Sequence, residues 1–434
     1  MIKILTNATL VQLDPAQVET GIDIALEHGQ VIKTGRALTT FYPDAAIISM
    51  DGKLVMPGMV CAHNHFYSAL ARGITADIAP SPDFLSILKN LWWRLDKAID
   101  REVLQASAIV GALEAVRAGT TTVIDHHASP NFIRGSLGVI REAFEKVGLR
   151  GILCYETTDR NAEAGMTDGI AENTEFARQI DRNDDNRLVE AAIGGHAPFT
   201  LNDTALAMLK KAIEETGRGI HVHVSEDGHD AAFSRQHYGE DPLARLHRFG
   251  LLNEKALIVH GVHLTGKEID LLNENDGFLI HNPRSNMNNH VGYMENIQQV
   301  KNLAMGTDGI GGDMFEEFKF SYFKHRDAGG DWWPDSIAKM LQNGNRILER
   351  YFGGDFGAIQ PGCRADLTIL DYYAPTPLTA ENVAGHIAFG MGSRDVNSVM
   401  VNGKFIYRNR EFPFEIDSLY ATARKAAEKL WKTM

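Results

Sequence analysis

Two histidines that could bind a metal ion lie close together in the first part of the chain. Residues 54–67 read LVMPGMVCAHNHFY, with His63-Asn64-His65 at the centre. Side chains alternate between the two faces of a β-strand, so His63 and His65 would project from the same face of a strand that ends here. Two imidazoles on one face suit a metal site, although the same pair also occurs in loops without any ligand role.

More residues of metal-binding type follow the other expected strands. Every expected strand except the one before Tyr155-Glu156 is followed by histidine or aspartate. In chain order these residues are His63, His65, Asp125, His126, His127, His196, His223, His260, His281 and Asp308. A single histidine after a strand is usually structural. Histidine or aspartate after nearly every strand instead indicates one metal site that these residues share.

Short apolar strands alternate with helical segments from about residue 59 to 345. After an opening strand that ends in His63 and His65, strands are expected at 123–124, which is followed by Asp125-His126-His127, and at 151–155, 190–194, 220–224, 256–260, 278–281 and 303–306. Asp100 is expected to cap a helix that buries one face, and Asp241-Pro242 should begin another. Eight strands in this alternation predict an α/β fold, a (β/α)8 TIM-like barrel whose chemistry lies at the C-terminal ends of the strands.

Both ends of the chain are richer in strands than the middle. Hairpin turns are expected at His28-Gly29, Asp51-Gly52 and Asn402-Gly403. We therefore expect residues 1–56 and 363–412 to form one small β-sandwich domain beside a catalytic barrel at 57–362. Residues 413–434 are expected to form a C-terminal helix.

Composition and charge narrow the classes of function. The chain has 434 residues and a net charge of −13, without the basic surface that nucleic-acid binding requires. Cys61, Cys154 and Cys363 are far apart and odd in number, which indicates a reducing compartment. The sequence contains neither a signal peptide nor an apolar run of about 20 residues. We expect a cytoplasmic protein, a homodimer, that binds neither membrane nor nucleic acid.

Several motifs resemble the metal-dependent amidohydrolase superfamily, in the branch of ATZ/TRZ chlorohydrolases and cytosine and guanine deaminases. They are PG-x-V-x-x-H-x-H at 57–65, H-x-x-E at 223–226, VHGVHL at 259–264, HNPRSN at 281–286, GTDG at 306–309 and ADLTILD at 365–371. The runs HNHFYSALARGI, DHHASP and SNMNNHVGY are closer still to the SsnA-type aminohydrolases. The resemblance covers essentially the whole chain.

The resemblance implies a role for each candidate residue. The implied metal ligands are His63, His65, His223 and Asp308, and the implied catalytic residues are Glu226 as proton carrier, His260 as the group that orients water, and Asp308. His196 would contact the substrate. His221 could compete with His223 for the ligand role, but the H-x-x-E spacing favours His223.

The resemblance also implies how many metal ions the site holds and which metal they are. Binuclear relatives bridge two metals with a carboxylated lysine, and no lysine lies at 154–158 or 194–198. We therefore expect one divalent ion, and three imidazoles with one carboxylate suit Zn²⁺ while also accepting Fe²⁺ or Mn²⁺. Trp92 and Trp93 could line the pocket, pack in the core or form a subunit contact. Arg160 and Asn286 are further candidates for substrate contact.

The expected reaction is hydrolytic deamination of an amino-substituted nitrogen heterocycle, purine-like or pyrimidine-like. A bound divalent ion lowers the pKa of its water to roughly 7, which supplies a hydroxide that can attack the ring carbon bearing the amino group. Glu226 would carry the proton, as a non-ligand glutamate does in other zinc deaminases. The alternatives are ring opening of a cyclic amide or amidine, dehalogenation of a heteroaromatic ring, and a non-catalytic scaffold. For Glu226 itself the alternative is a surface carboxylate.

Overall fold

The computed structural model describes residues 1–180 and 183–434. Its strands are β1 (Lys3–Leu13), β2 (Ala16–Glu27), β3 (Gln30–Gly35), β4 (Ala46–Ser49), β5 (Leu54–Pro57), β6 (Met59–Asn64), β7 (Thr120–His127), β8 (Arg150–Tyr155), β9 (Val189–Ala191), β10 (Ile193–Gly195), β11 (Ile220–Val224), β12 (Leu257–His260), β13 (Phe278–His281), β14 (Leu303–Met305), β15 (Leu367–Leu370), β16 (Val396–Val401) and β17 (Lys404–Tyr407). Its α-helices are α1 (Phe84–Ile87), α2 (Trp93–Ala98), α3 (Arg101–Arg117), α4 (Ser136–Val147), α5 (Ala162–Gln179), α6 (Asp203–Thr216), α7 (Gly228–Tyr238), α8 (Pro242–Arg248), α9 (Gly266–Glu274), α10 (Pro283–Asn288), α11 (Met314–Asp327), α12 (Pro334–Phe352), α13 (Val383–Phe389) and α14 (Asp417–Thr433).

Two parallel sheets in the middle of the chain position the histidines. One sheet has the order β6-β7-β8-β9, and the other runs from β10 to β14 in chain order. Isolated parallel bridges join Thr157 to Gly195 and Asn64 to Asp308, so each end of the first sheet adjoins the second. The expected α/β class with parallel strands is confirmed.

The strand expected at 190–194 is divided into β9 and β10. Before the break, Ala192 N donates to Leu153 O of β8, whereas the next amide, Ile193 N, donates to Gly219 O beside β11. The buried Asn173 of α5 replaces part of the missing ladder, because its Oδ1 accepts from Tyr155 N at 2.8 Å and from Gly194 N at 3.2 Å. A buried side chain that satisfies backbone groups in this way allows the strand to change partners.

The helices begin where the capping residues predict. The Asp100 side chain accepts from Val103 N at 2.9 Å at the start of α3, and Pro242 occupies the first turn of α8. The face of α3 that was expected to be buried is buried, and most of the remaining side chains of the helix are buried as well. Packing of α14 against α3 covers the face that would otherwise meet solvent.

A mixed sheet unites strands from both ends of the chain in the order β17-β16-β15-β5-β1-β2-β3. The expected hairpins at His28-Gly29 and Asn402-Gly403 are confirmed, since they join β2 to β3 and β16 to β17. The hairpin expected at Asp51-Gly52 is wrong. Its flanking strands β4 and β5 both pair parallel with β1, and two arms of one hairpin would pair antiparallel with each other.

No helix within the described ranges is both long enough and apolar enough to cross a membrane.

Candidate metal centre

Histidine ring nitrogens from the ends of three strands, β6, β11 and β12, converge on the carboxylate of Asp308. His63 Nε2 lies 3.3 Å from His223 Nε2 and 3.4 Å from Asp308 Oδ1. His65 Nε2 lies 2.9 Å from the same oxygen, and His260 Nε2 lies 4.0 Å from Asp308 Oδ2. His260 Nε2 is buried and has no hydrogen-bond partner among the described residues. Nitrogen atoms that face one another and a carboxylate at these distances form a group that could hold a metal ion.

The opposite ring nitrogen of each histidine is held by a fixed partner. The Nδ1 contacts are His63 with His221 Nε2 at 2.9 Å, His65 with His126 O at 2.5 Å, His223 with His196 O at 2.8 Å, and His260 with Asn286 Oδ1 at 2.8 Å. A carbonyl oxygen can only accept, so Nδ1 of His65 and of His223 carries a hydrogen, and Nε2 of each ring is directed to the centre. Metal-binding histidines are usually oriented by such contacts.

Burial and hydrogen bonding set the charge of these groups. Burial lowers the pKa of His63, His223 and His260, which favours the neutral imidazole that binds metals. Burial alone would raise the pKa of Asp308, but hydrogen bonds from His63 and His65 outweigh it and hold the pKa well below its usual value. Burial alone would lower the pKa of His65, but its hydrogen bond to Asp308 and the charge of Asp308 outweigh burial and raise the pKa to about 9. A metal ion would therefore have to displace a proton from His65 to bind there. Imidazoles around one carboxylate form a donor set that fits zinc.

The one four-residue group of donors among the described residues differs slightly from the set that the resemblance implies. Ligand atoms of His63, His223, His260 and Asp308 lie within 4.8 Å of one another, and His65 belongs to an overlapping group with His126 and His223. His221 is engaged elsewhere, because its Nε2 contacts His63 and its Nδ1 lies 3.4 Å from Cys154 Sγ. His221 therefore supports His63 from behind instead of facing the centre.

The backbone around the centre adopts conformations that non-glycine residues rarely use. Ser225, His260 and Asp308 have φ angles of 51°, 69° and 53°. Such conformations cost roughly 1–3 kcal/mol each and concentrate at functional sites. Gly306 permits the close approach of β14 to β6, since a Cβ atom there would lie 2.7 Å from His63 N.

Glu226 lies beside the centre and is not a surface carboxylate. Its side chain is buried, Oε1 accepts from Asn289 Nδ2 at 3.2 Å, and Oε2 lies 3.4 Å from His260 Nε2. Burial and the nearby charge of Asp308 raise the pKa of Glu226 well above its usual value. A carboxyl group in this environment can hold a proton and release it to a neighbouring atom.

A cavity opens from the metal centre, and aromatic side chains form much of its wall. Trp92 and Trp93 line it, the first from a π-helical turn at Leu88–Trp92 and the second from α2. The other apolar lining residues include Phe84, Leu88, Phe199 and Ile310. Of the residues with expected roles, His65, His196, His223, Glu226, His260 and Asp308 also line it. Flat, apolar walls suit a planar ring.

Two expected contact residues lie behind the cavity wall. Asn286 holds His260 through Nδ1, as described above, and is not among the residues that line the cavity. The Arg160 guanidinium lies 4.3 Å from the centre of the Trp93 ring and donates to Glu156 Oε1 at 3.1 Å. Arg160 also does not line the cavity, so both residues support others that do.

Three carboxylates that line the cavity, Asp96, Glu156 and Asp230, were not predicted from the sequence. Burial would raise the pKa of Glu156, but the charges of His196 and His126 outweigh it and hold the pKa low. Burial and the charge of Glu156 raise the pKa of Asp96 to about 7. The available signal for Glu156 was its position directly after an expected strand. Asp96 lies within a helix and carries no comparable signal.

Comparison with known proteins identifies relatives over nearly the whole chain. Residues 54–406 match the Amidohydrolase family. A 5-methylthioadenosine/S-adenosylhomocysteine deaminase of Thermococcus sibiricus is 30% identical over 401 residues, which cover 88% of this chain and 89% of the relative. An adenosine deaminase from Xanthomonas campestris with bound zinc has 26% identity and a TM-score of 0.86, covering 99% of this chain and 98% of that one.

A more distant structure shares the fold. Atrazine chlorohydrolase TrzN from Arthrobacter aurescens TC1, in complex with zinc, has 17% identity and a TM-score of 0.84. The match covers 98% of this chain and 99% of the chlorohydrolase.

Proposed function

The chain belongs to the amidohydrolase family, and from this premise we propose that it is a metal-dependent aminohydrolase acting on an amino-substituted nitrogen heterocycle. Its relatives include deaminases of adenosine-like compounds, so the proposed substrate is purine-like or pyrimidine-like. The observation that carries the proposal is the buried Glu226 carboxyl, 3.4 Å from His260 Nε2 beside the converging imidazoles. That position supplies the proton carrier which loss of ammonia requires.

We propose that the centre holds one divalent ion, Zn²⁺, through His63, His65, His223 and Asp308. The Nε2 atoms directed to the centre and the ionised Asp308 described above support this set. When bound, the ion would acidify a water molecule so that a nucleophile is available near neutral pH. No lysine lines the cavity among the described residues, which agrees with one ion instead of a lysine-bridged pair.

The residues of the chain would then move protons around the reacting ring carbon. Addition of the water oxygen to the carbon that bears the amino group, followed by loss of ammonia, leaves a carbonyl. One water proton must reach a ring nitrogen and another the departing amine, and Glu226 is placed to carry them. His260, held by Asn286 through Nδ1, would orient the water with Nε2. Trp92 and Trp93 would hold the ring plane.

We also propose that the parallel strands form one (β/α)8 barrel, with β9 and β10 as two halves of a single strand. The bridges from Thr157 to Gly195 and from Asn64 to Asp308 support closure. Residues 57–362 would form this catalytic barrel, and residues 1–56 and 363–412 the small β-sandwich domain beside it. A closed parallel barrel brings all strand ends to one face, where the ligands are needed.

The proposal is tested by ammonia release from a panel of aminated purines, pyrimidines, triazines and pterins. Protein loaded with zinc should release ammonia from at least one of them, and a chelator should abolish the release until zinc is restored. Ring opening of cyclic amides and halide release from chlorotriazines should be measured alongside. Hydrolysis of cyclic amides without any ammonia release would contradict the deaminase proposal.

A further inference from the structure

Two side chains of α10, and that of the residue directly after it, contact groups of the candidate metal centre. The pairs are Ser285 with Asp308, Asn286 with His260, and Asn289 with Glu226. One short helix thus contacts the carboxylate of the centre, the residue proposed to orient water and the proposed proton carrier. The proposed reaction assigns no role to Asn289, which is the member of this set that contacts the proton carrier.

Asn289 is buried and is held in one orientation. Its backbone N donates to Ser285 O at 2.9 Å where α10 ends, and its side-chain Oδ1 accepts from Asn288 Nδ2 at 3.1 Å. The amide nitrogen therefore faces the other way, where Nδ2 donates to Glu226 Oε1 at 3.2 Å and to Ser285 Oγ at 3.4 Å. An amide nitrogen carries two hydrogens and can serve both acceptors.

The contact with Asn289 distinguishes the two oxygens of the Glu226 carboxyl. Oε1 is engaged by the amide, whereas Oε2 lies 3.4 Å from His260 Nε2. The last torsion of a glutamate side chain has broad, roughly two-fold minima, so a carboxyl without a fixed contact rotates easily. The hydrogen bond to Oε1 opposes this rotation and keeps Oε2 on the side of the centre.

α10 is itself anchored to the neighbouring helix α11. Arg284 N donates to Glu317 Oε1 at 3.1 Å, and Arg284 Nη1 donates to Glu316 Oε2 at 2.7 Å. Glu317 is fully buried, so the anchor lies inside the protein. Groups held by an anchored helix are positioned more precisely than groups held by a loop.

We propose that Asn289 is a positioning residue for the deamination described above: its amide fixes Glu226 Oε1, and Oε2 thereby stays where protons are transferred. Asn289 acts through Glu226 and takes no part in the chemistry itself. A displacement of about 1 Å at a proton carrier can slow a reaction by about 10²-fold. This inference rests on the proposed function and adds the residue that orients its proton carrier.

The first test compares zinc-loaded wild type with Asn289→Leu, which keeps the approximate size and branching of the side chain and removes the donor. On the best substrate of the panel, kcat should fall by about 10–100-fold while KM stays within about threefold. Zinc content should equal that of wild type. Asn289→Ala takes the place of Asn289→Leu if the leucine variant does not fold.

Asn273→Leu is the matched control. Asn273 of α9 donates through Nδ2 to Gln299 O at 2.8 Å and does not line the cavity, so this change also removes an amide donor from a structural contact. It should leave kcat and KM unchanged. An equal fall of kcat in the control, or an unchanged kcat in Asn289→Leu, would overturn the inference.

A double-mutant cycle with Glu226→Gln separates positioning from a general structural effect. Glutamine at this position cannot transfer a proton, so the orientation of its side chain no longer matters for the rate. Adding Asn289→Leu to Glu226→Gln should therefore slow ammonia release by less than about threefold further. The same fractional loss in both backgrounds would show that Asn289 acts independently of Glu226 and would overturn the inference.

Crystal structures of zinc-loaded wild type and Asn289→Leu provide a readout that does not depend on turnover. In the variant the Glu226 carboxyl should be rotated, or Oε2 displaced by about 1 Å or more. An unchanged Glu226 side chain would overturn the inference. A displaced carboxyl in the variant, together with no ammonia release by wild type from any member of the panel, would support the positioning role and count against the proposed reaction.

Discussion

His65, His223 and His260 present the same atom to the metal centre but have different proposed roles. His65→Asn and His223→Asn should each reduce bound zinc to well below one ion per chain, because each removes a ligand whose orientation is already fixed. His260→Asn should retain zinc and lose turnover, since His260 Nε2 lies 4.0 Å from the nearer Asp308 oxygen. Elemental analysis after dialysis measures the difference.

His221→Asn provides the comparison for a residue that acts through another. It removes the contact to His63 Nδ1 and should weaken zinc binding by about 10–100-fold without abolishing it. If His260→Asn loses zinc as completely as His223→Asn, then His260 is a ligand and the proposed set is wrong.

The candidate residues at the centre were predictable from spacing, and those at the far side of the cavity were not. His63 and His65 are two positions apart at the end of one strand, which places them on the same face. His223 and Glu226 form a recognisable H-x-x-E motif. Asp96 acquires its environment from Glu156, 60 positions later in the chain, and from burial on α2. Nothing in the local sequence around a helical aspartate indicates such a neighbour.

Among the elements, α14 has a specific contact that stabilises the cavity side of the molecule. Trp431 of α14 donates from Nε1 to Leu70 O at 2.8 Å, and Leu70 lies just after the β6 strand that carries the first histidines. Trp431→Phe removes this hydrogen bond and should lower the free energy of unfolding by about 0.5–1.5 kcal/mol. Urea denaturation followed by circular dichroism measures the change.

Trp333→Phe is the matched control, because the Trp333 side chain is 69% exposed. It should change the free energy of unfolding by less than about 0.5 kcal/mol. Equal losses in the two variants would show that the contact of α14 with Leu70 contributes nothing specific.

At the scale of the elements, a turn sequence predicted a hairpin correctly only where its two flanking strands pair with each other. Asn402-Gly403 joins two strands that pair with each other, as expected. Asp51-Gly52 has the same character, but β1 is long enough to pair with β4 along one stretch and with β5 along the next. The turn therefore connects two neighbours of β1, an outcome that depends on a strand some 40 residues away.

At the scale of the whole molecule, Arg150 links the parallel strands to the mixed sheet. It is 1% exposed in β8, and its Nε donates to Asp366 Oδ2 at 2.8 Å while Nη2 donates to Asn402 Oδ1 at 2.6 Å. Arg150→Met would leave the Asp366 carboxylate buried without its cation. The free energy of unfolding should fall by about 3–5 kcal/mol.

The control for this variant is Arg141→Met, which removes an ion pair with Glu145 on the surface of α4. That change should cost at most about 1 kcal/mol. Comparable losses in the two variants, measured by urea denaturation, would mean that the buried link does not stabilise the junction between the sheets.

The broad architecture was predictable because it follows from repeated local patterns. The alternation of strands and helices indicated the α/β class, and the strand-rich ends indicated a separate sheet. Cytoplasmic location, dimerisation and the exact domain boundaries stay predictions. They depend on the cell and on contacts between distant parts of the chain or between chains, which no local sequence pattern encodes.

The central claim is that Glu226 carries protons in a zinc-dependent deamination, and ammonia release by Glu226→Gln tests it most directly. Glutamine keeps the size of the side chain and its contact with Asn289, but it cannot transfer a proton. With zinc content equal to that of wild type, the variant should release ammonia about 10²–10⁴-fold more slowly from the best substrate of the panel. Release at close to the wild-type rate, with zinc fully bound, would contradict the account.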